Sequence, residues 1–208
     1  MNLSFSILFA SSSLVLASSC VPKTTLKSGT LDGSSTESTG DTSAELLYPL
    51  GGWVDTCEEA GGGIGAFGSP RAGGSRKHAG CDLYSTVGRP IYAVEDGTVL
   101  ETYLFYCDTD ALVVKGKHTG RVIRYGEIRS GSPEKHGVSP GDTVKKGQVI
   151  AEIGKLSCYS QAMLHFELYS GSASGGLTVP DNPPYQRRSD LINPTKDLKQ
   201  WRADRFHK

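Results

Sequence analysis

Short runs of β-forming residues, each bounded by turn residues, constrain the fold of this chain more than any other feature. In the run AMLHFELY, residues 162–169, Met163, His165 and Glu167 fall on one face, and leucine and phenylalanine fall on the other. A period of two is typical of a strand with one face on a core. Similar runs flank turn signals at 96–97, where a hairpin is predicted, and at 118–120.

These runs predict an all-β, antiparallel fold with long glycine-rich loops and functional loops at one end. Glycine is abundant, at 26 of 208 residues, which suits many tight turns. The only candidate helix is short and lies in DLINPTKDLKQW, near the C-terminus. We predict one β domain over residues 46–198 and a C-terminal tail over residues 199–208.

The charge balance excludes some classes of partner. Lys plus Arg and Asp plus Glu number 22 each, so the formal net charge is +0. Such a balance gives no case for binding nucleic acid or a charged membrane surface. We expect a monomer.

The first 45 residues differ in composition from the rest. LSFSILFASSSLVLASSC is apolar and uncharged, but it is too short and too rich in serine for a membrane span. It predicts a signal peptide over residues 1–20, hence a secreted or periplasmic, cell-envelope location. LASSC resembles a lipoprotein signal in which Cys20 carries the lipid, the only membrane attachment expected. Residues 21–45 are rich in Ser, Thr and Gly and predict a flexible linker.

Secretion would place the remaining four cysteines in an oxidising compartment, where they can form disulfides. Four cysteines allow three connectivities, and the sequence does not choose among them. We prefer Cys57 with Cys81 and Cys107 with Cys158. Buried free thiols are the alternative.

Two histidines and one aspartate are candidate metal ligands. His78 and Asp82 are four residues apart in KHAGCDLYS, on a loop entering a strand. An imidazole and a carboxylate can share one metal ion, and His165 would be a third ligand from a strand face. Two nitrogens, one oxygen and an open position suit catalytic zinc. Alternatively, His165 only forms hydrogen bonds on a half-buried strand.

Five motifs resemble, in order and spacing, those of the lysostaphin-type zinc peptidases of bacterial cell walls. They are HAGCD, GTVL, VIRYGEI, PGDTVKKGQVIAEIG and LHFELY, and the resemblance covers residues 48–169. It implies a compact β fold with one zinc ion in a groove and cleavage of peptide bridges or stems in peptidoglycan. By motif, His78, Asp82 and His165 match the three zinc ligands, with a zinc-bound water as the nucleophile.

Two positions depart from the family pattern. Met163 replaces the first histidine of the usual His-x-His pair, and Glu127 replaces the histidine of the Tyr-x-His segment. A thioether cannot transfer a proton, so Met163 is assigned to the substrate groove. Alternation predicts Tyr125 and Glu127 on one face, with Glu127 as proton carrier, Tyr125 as oxyanion donor and Arg124 on the opposite face. A structural carboxylate is the alternative role for Glu127.

Arg71 and Arg76 flank the loop that carries His78. Either can meet a carboxylate of a substrate, and Arg71 is assigned to the groove. The alternative, common for arginines on loops, is a solvated surface position.

Two main functions therefore remain open, with a metal-dependent hydrolase of a non-wall peptide as a weaker third. The first is a zinc-dependent metalloendopeptidase, a hydrolase that acts on peptidoglycan cross-links. The second is a catalytically impaired zinc-containing module that binds peptidoglycan or regulates another cell-wall hydrolase. Retention of all three ligands favours the enzyme, whereas the two missing histidines favour the module. We predict the enzyme.

Overall fold

The computed structural model describes residues 46–59 and 63–206. The predicted signal peptide, Cys20 and the linker over residues 21–45 lie outside these residues. Within them, no helix has the length and apolar character needed to cross a membrane.

Antiparallel strands dominate the structure, which confirms the predicted fold class. The strands are β1 (Pro70–Arg71), β2 (Arg76–Lys77), β3 (Cys81–Ser85), β4 (Pro90–Tyr92), β5 (Gly97–Tyr106), β6 (Thr109–Gly116), β7 (Val122–Ile128), β8 (Thr143–Val144), β9 (Val149–Glu152), β10 (Ala162–Tyr169) and β11 (Leu191–Ile192). The helices are α1 (Ser132–Lys135), α2 (Thr195–Phe206) and a 3₁₀ turn (Ala72–Gly74).

The main sheet is built around β10. Its order is β11-β10-β7-β6-β5-β8, and β3 pairs with the first part of β10 on the side that β11 occupies further along. β1 and β2 form a separate pair, as do β4 and β9. The turn predicted near residues 118–120 joins β6 to β7, as the sequence indicates.

The hairpin predicted around Asp96 is wrong. β4 pairs with β9, whereas β5 pairs with β6 and β8, so the two runs that flank Asp96 belong to different sheets. The Asp96 carboxylate instead accepts hydrogen bonds from the Lys146 backbone N–H and from Lys145 Nζ, both at 2.9 Å. Asp-Gly favours a turn here, but tertiary pairing decides the partners of the flanking strands.

Helix α2 closes one side of the apolar core. Leu198 and Trp201 are buried, and the Trp201 ring meets Phe166 of β10 edge-on at 6.2 Å between centroids. Arg202 is also buried and donates to the carbonyl of Val54 at 2.9 Å. The packed domain therefore continues past residue 198, and the prediction of a separate tail from residue 199 is wrong as far as residue 206.

Both preferred disulfide pairings are present. Cys57–Cys81 joins the N-terminal segment to the first residue of β3, across 24 residues of sequence. Cys107–Cys158 joins the β5–β6 turn to the loop before β10, across 51 residues. Each bond therefore fastens a loop to the strands that surround the predicted ligands.

Candidate metal centre and its pocket

The pairing of β3 with β10 brings the predicted ligands together. Asp82 lies opposite His165 in the register of these strands. Directly paired residues share a face of the sheet, so both side chains project to the same side. His78 lies on the loop entering β3, four residues before Asp82.

Three donor atoms from these side chains converge. His165 Nδ1 lies 2.8 Å from Asp82 Oδ1 and 3.0 Å from His78 Nε2, and His78 Nε2 lies 3.2 Å from Asp82 Oδ1. All three side chains are buried. A backbone glycine allows this approach, because a Cβ at Gly80 would lie 2.7 Å from His165 Cε1.

The outer hydrogen bonds of the two histidines suit a metal ion. His78 Nδ1 donates to the carbonyl oxygen of Ala66 at 3.0 Å, which leaves a lone pair on Nε2. His165 Nε2 donates to Glu167 Oε1 at 2.9 Å, which leaves a lone pair on Nδ1. With Asp82, these atoms form a nitrogen, nitrogen, oxygen set that fits zinc with an open position.

Without a metal ion, hydrogen bonds hold the side chains of His78, Asp82 and His165 together. Burial acts to raise the pKa of Asp82, but its close contacts with His165 and His78 outweigh burial and lower the pKa to about 2. Burial acts to lower the pKa of His165, but hydrogen bonds to Asp82 and Glu167 raise it to about 9. A divalent cation would take the place of the proton on His165.

Glu167 supports the centre, although the sequence analysis gave it no role. Its fully buried carboxylate accepts from His165, from Arg124 Nη1 at 2.8 Å and from Arg187 Nε at 2.9 Å, and also from the Tyr169 hydroxyl. Despite burial, the histidine and the two guanidinium groups hold the pKa of Glu167 well below its usual range. Its position two residues after His165, on the same strand face, was the available signal.

A β-bulge in β7 turns Glu127 towards the centre. The β6–β7 register pairs Asp110 with Ile128 and then Ala111 with Gly126, so Glu127 is an extra residue on its strand. Its φ of 61° lies in the left-handed region. A bulge of this kind redirects a side chain that simple alternation would place on the other face.

The bulge overturns two predictions about β7. Tyr125 pairs with Phe166, not with His165, and its hydroxyl accepts from the Val94 backbone N–H at 3.2 Å inside the core. Tyr125 therefore neither shares a face with Glu127 nor reaches the ligands, so the prediction that it is the oxyanion donor is wrong. Arg124, predicted to face away from the site, instead faces it and binds Glu167.

Glu127 is a buried carboxylic acid with an unused oxygen. Its Oε2 has no hydrogen-bond partner in the part of the chain that the structure describes. Burial raises the pKa of Glu127 to about 7; the Asp82 carboxylate adds to the rise, and His165 and Arg71 oppose it. Such a group exchanges a proton near neutral pH.

A pocket of about 620 Å³ opens above the ligands and Glu127. Met163 and Arg71, both assigned to the groove from the sequence, line it. One wall is largely apolar and aromatic: Tyr103, Leu104, Phe105, Tyr106, Leu156 and Tyr159. Arg71, Arg76 and Arg187 line it as well. The pocket therefore combines a buried centre with a basic wall.

Comparison with known proteins identifies the family. Residues 76–176 match Peptidase family M23. The domain belongs to peptidase family M23. This confirms the resemblance given by the motifs. No curated protein sequence matches the chain.

Solved structures are similar to this M23 domain, and one of them, the solution structure of lysostaphin, shows the same fold. The solution structure of lysostaphin is 21% identical over 76% of this chain and 56% of that chain, with a TM-score of 0.53. The catalytic domain of the antimicrobial peptidase lysostaphin from Staphylococcus simulans is 22% identical over 70% of this chain and 92% of that chain, with a TM-score of 0.48. A zinc containing peptidase from Vibrio cholerae is 21% identical over 64% of this chain and 41% of that chain, with a TM-score of 0.48. The chain thus spans about half the length of the lysostaphin in the solution structure and less than half of the Vibrio cholerae peptidase.

The M23 domain has a second phenol that the sequence analysis missed. Tyr84 lies two residues after Asp82 on β3, opposite Met163 in register, and lines the pocket. Among the described residues, no group accepts a hydrogen bond from its hydroxyl. A Cβ at Gly65 would lie 3.0 Å from Tyr84 Oη, so the Gly65 backbone lies close against the ring. Alternation in CDLYS was the available signal.

Proposed function

We propose that this M23 domain is a zinc-dependent metalloendopeptidase that hydrolyses peptide bonds of peptidoglycan cross-links. The convergence of His78 Nε2, Asp82 Oδ1 and His165 Nδ1, 2.8–3.2 Å apart beneath an open pocket, supports the proposal. One zinc ion held by these atoms would retain an open position for reacting groups.

Glu127 is the proposed proton carrier. When bound, zinc supplies a Lewis acid that lowers the pKa of water and polarises the scissile carbonyl. Glu127 Oε2 accepts the proton of the attacking water and returns it to the leaving amine nitrogen. A buried carboxyl whose Oε2 has no hydrogen-bond partner among the described residues suits both transfers.

Tyr84 takes the oxyanion role that the sequence analysis gave to Tyr125. Its hydroxyl lies on the site face of β3, two residues from Asp82, and is free to donate. Donation to the carbonyl oxygen as it gains charge would stabilise the tetrahedral state. Met163, directly across the strand pair, contributes an apolar surface and no proton.

Digestion of purified peptidoglycan tests the enzyme. The full-length chain and its His165→Ala and Glu127→Gln variants are loaded with zinc, and bound metal is measured by elemental analysis. We expect new muropeptides from the wild type, none from His165→Ala, and a loss of about 10²–10⁴-fold in Glu127→Gln at full zinc content. Stoichiometric zinc without any product from several wall types would refute the enzyme.

Met163 favours the second candidate, a zinc-containing module that binds peptidoglycan or regulates another hydrolase. It lines the pocket without a titratable group at the position where the family pattern has a histidine. Met163→Leu and Met163→His separate the candidates. If the wild type and Met163→Leu bind zinc and wall without cleavage, and only Met163→His cleaves, the impaired module is correct. If all three cleave, the enzyme is correct.

A further inference from the structure

Three arginines with too few acidic partners line the pocket. Arg71 and Arg76 lie directly opposite each other in the β1–β2 pair, and Arg187 comes from a distant loop. Burial lowers the pKa of Arg76, and the positive charges of Arg187 and Arg71 lower it further. Like charges placed opposite each other on paired strands are destabilising, so this arrangement has a cost without an anion. We call these three residues the arginine wall.

The nearby carboxylates do not neutralise the arginine wall. Arg71 Nη2 reaches Asp82 Oδ2 at only 3.4 Å, and Asp82 is already a proposed metal ligand. Arg187 Nε binds Glu167 Oε1, but Glu167 also serves His165 and Arg124. Arg76 lines the pocket and has no hydrogen bond or ion pair to any residue that the structure describes.

The arginine wall lies on two separate segments, around residues 67–77 and 182–187, which contact each other directly. The Lys77 backbone N–H donates to the carbonyl of Pro184 at 2.8 Å, and the Phe67 and Tyr185 rings stack at 4.9 Å between centroids. Arg187 is further held because Asn182 Nδ2 donates to its carbonyl oxygen at 2.6 Å. A binding surface that is already ordered loses little conformational entropy when a ligand arrives.

We propose that the arginine wall binds a carboxylate of the peptide substrate. This inference rests on the proposed function and adds the substrate class: a peptide with a free carboxylate close to the scissile bond. Arg71 contacts the proposed ligand Asp82 directly, and Arg187 contacts Glu167, so the wall adjoins the metal centre. Guanidinium groups match carboxylates in a planar, two-pronged geometry, which lysine does not offer.

The test measures binding without hydrolysis. The metal-free, full-length chain is immobilised, and soluble muropeptides are applied either native or with their carboxylates converted to methylamides. Arg76→Gln removes the unpaired guanidinium. Lys77→Gln is the matched control, because it removes one positive charge from the adjacent residue, which is exposed and does not line the pocket.

We expect the wild type and Lys77→Gln to retain native muropeptides about tenfold more tightly than amidated ones, and Arg76→Gln to lose this preference. Equal retention of the two preparations by the wild type, or an equal effect of both substitutions, would overturn the proposal. Displacement by inorganic phosphate as readily as by native muropeptides would also overturn it, since the wall would then be a general anion site. A domain that fails to cleave peptidoglycan but keeps the carboxylate preference leaves this inference intact and refutes only the enzyme.

Discussion

At the scale of single residues, Glu127 makes stability depend on pH. Burial raises its folded-state pKa from 4.5 to about 7, so its contribution is fully present below pH 4.5 and is lost as pH rises through 7. Metal-free wild type should therefore lose about 2.5 kcal/mol of unfolding free energy relative to Glu127→Gln between pH 5 and pH 8. Urea unfolding of both proteins at each pH measures the difference, in which titrating groups that do not interact with Glu127 cancel. A constant difference would contradict the buried acid.

The proposed role of Tyr84 as oxyanion donor gives a second prediction at the scale of single residues. Tyr84→Phe removes a single hydroxyl and should lower kcat about 10²–10³-fold, as the loss of one oxyanion donor does. KM and zinc content should stay near wild-type values, because the ring still packs against Gly65. Steady-state hydrolysis of a wall peptide measures both constants. Tyr159→Phe is the control, since Tyr159 lines the pocket but is 54% exposed; equal losses in both variants would contradict the assignment.

At the scale of elements, close packing of β10 on the loop before β3 positions His165. A Cβ at Gly80 would lie 2.7 Å from His165 Cε1 and 2.8 Å from the Phe166 carbonyl oxygen. Gly80→Ala should therefore displace the ligand and weaken zinc binding at least about tenfold. Gly176→Ala is the control, because its Cβ would meet only the Thr178 carbonyl oxygen, at 3.9 Å. Competition with a chromogenic chelator measures both; equal affinity would contradict the steric argument.

The buried ion pair between β7 and β10 should contribute far more to the unfolding free energy than an exposed ion pair does. Arg124 and Glu167 have side chains that are 1% and 0% exposed, so Glu167→Gln leaves a buried guanidinium without its charge partner. We expect a loss of about 3–5 kcal/mol in unfolding free energy. Arg121→Gln breaks a pair with Asp197 that is 30% exposed on both sides and should cost at most about 1 kcal/mol. Chemical denaturation of the metal-free proteins compares them.

The strands also show which features the sequence predicts and which depend on tertiary pairing. The period of two in β10 predicted that strand. The four-residue spacing of His78 and Asp82, with His165 on the strand face and the family resemblance, predicted the set that converges. The position of Tyr125 was missed because a bulge arises from pairing with β6, and its available signal in VIRYGEI, the glycine at 126 beside Glu127, was not used. The wrong hairpin at Asp96 has the same cause, since a turn signal does not specify which strands pair.

At the scale of the whole molecule, the two disulfides have different relations to the centre. Cys81 adjoins the ligand Asp82 and is bonded to Cys57 in the core, so this bond fixes the start of β3. Cys107–Cys158 instead ties the far end of the β5–β6 hairpin to the loop that precedes β10, along the aromatic side of the pocket. Removal of either disulfide should therefore lower the stability of the domain, whereas only removal of Cys57–Cys81 should also weaken metal binding.

Paired alanine variants test this separation. Loops of 24 and 51 residues predict similar losses of unfolding free energy, about 3–4 kcal/mol for either disulfide. Zinc affinity should fall only when Cys57 and Cys81 are replaced, because only that bond adjoins a ligand. Measuring unfolding and zinc affinity in both double variants makes each the control for the other. Equal loss of zinc in both would mean that the centre depends on the stability of the whole domain, not on the local anchoring of β3.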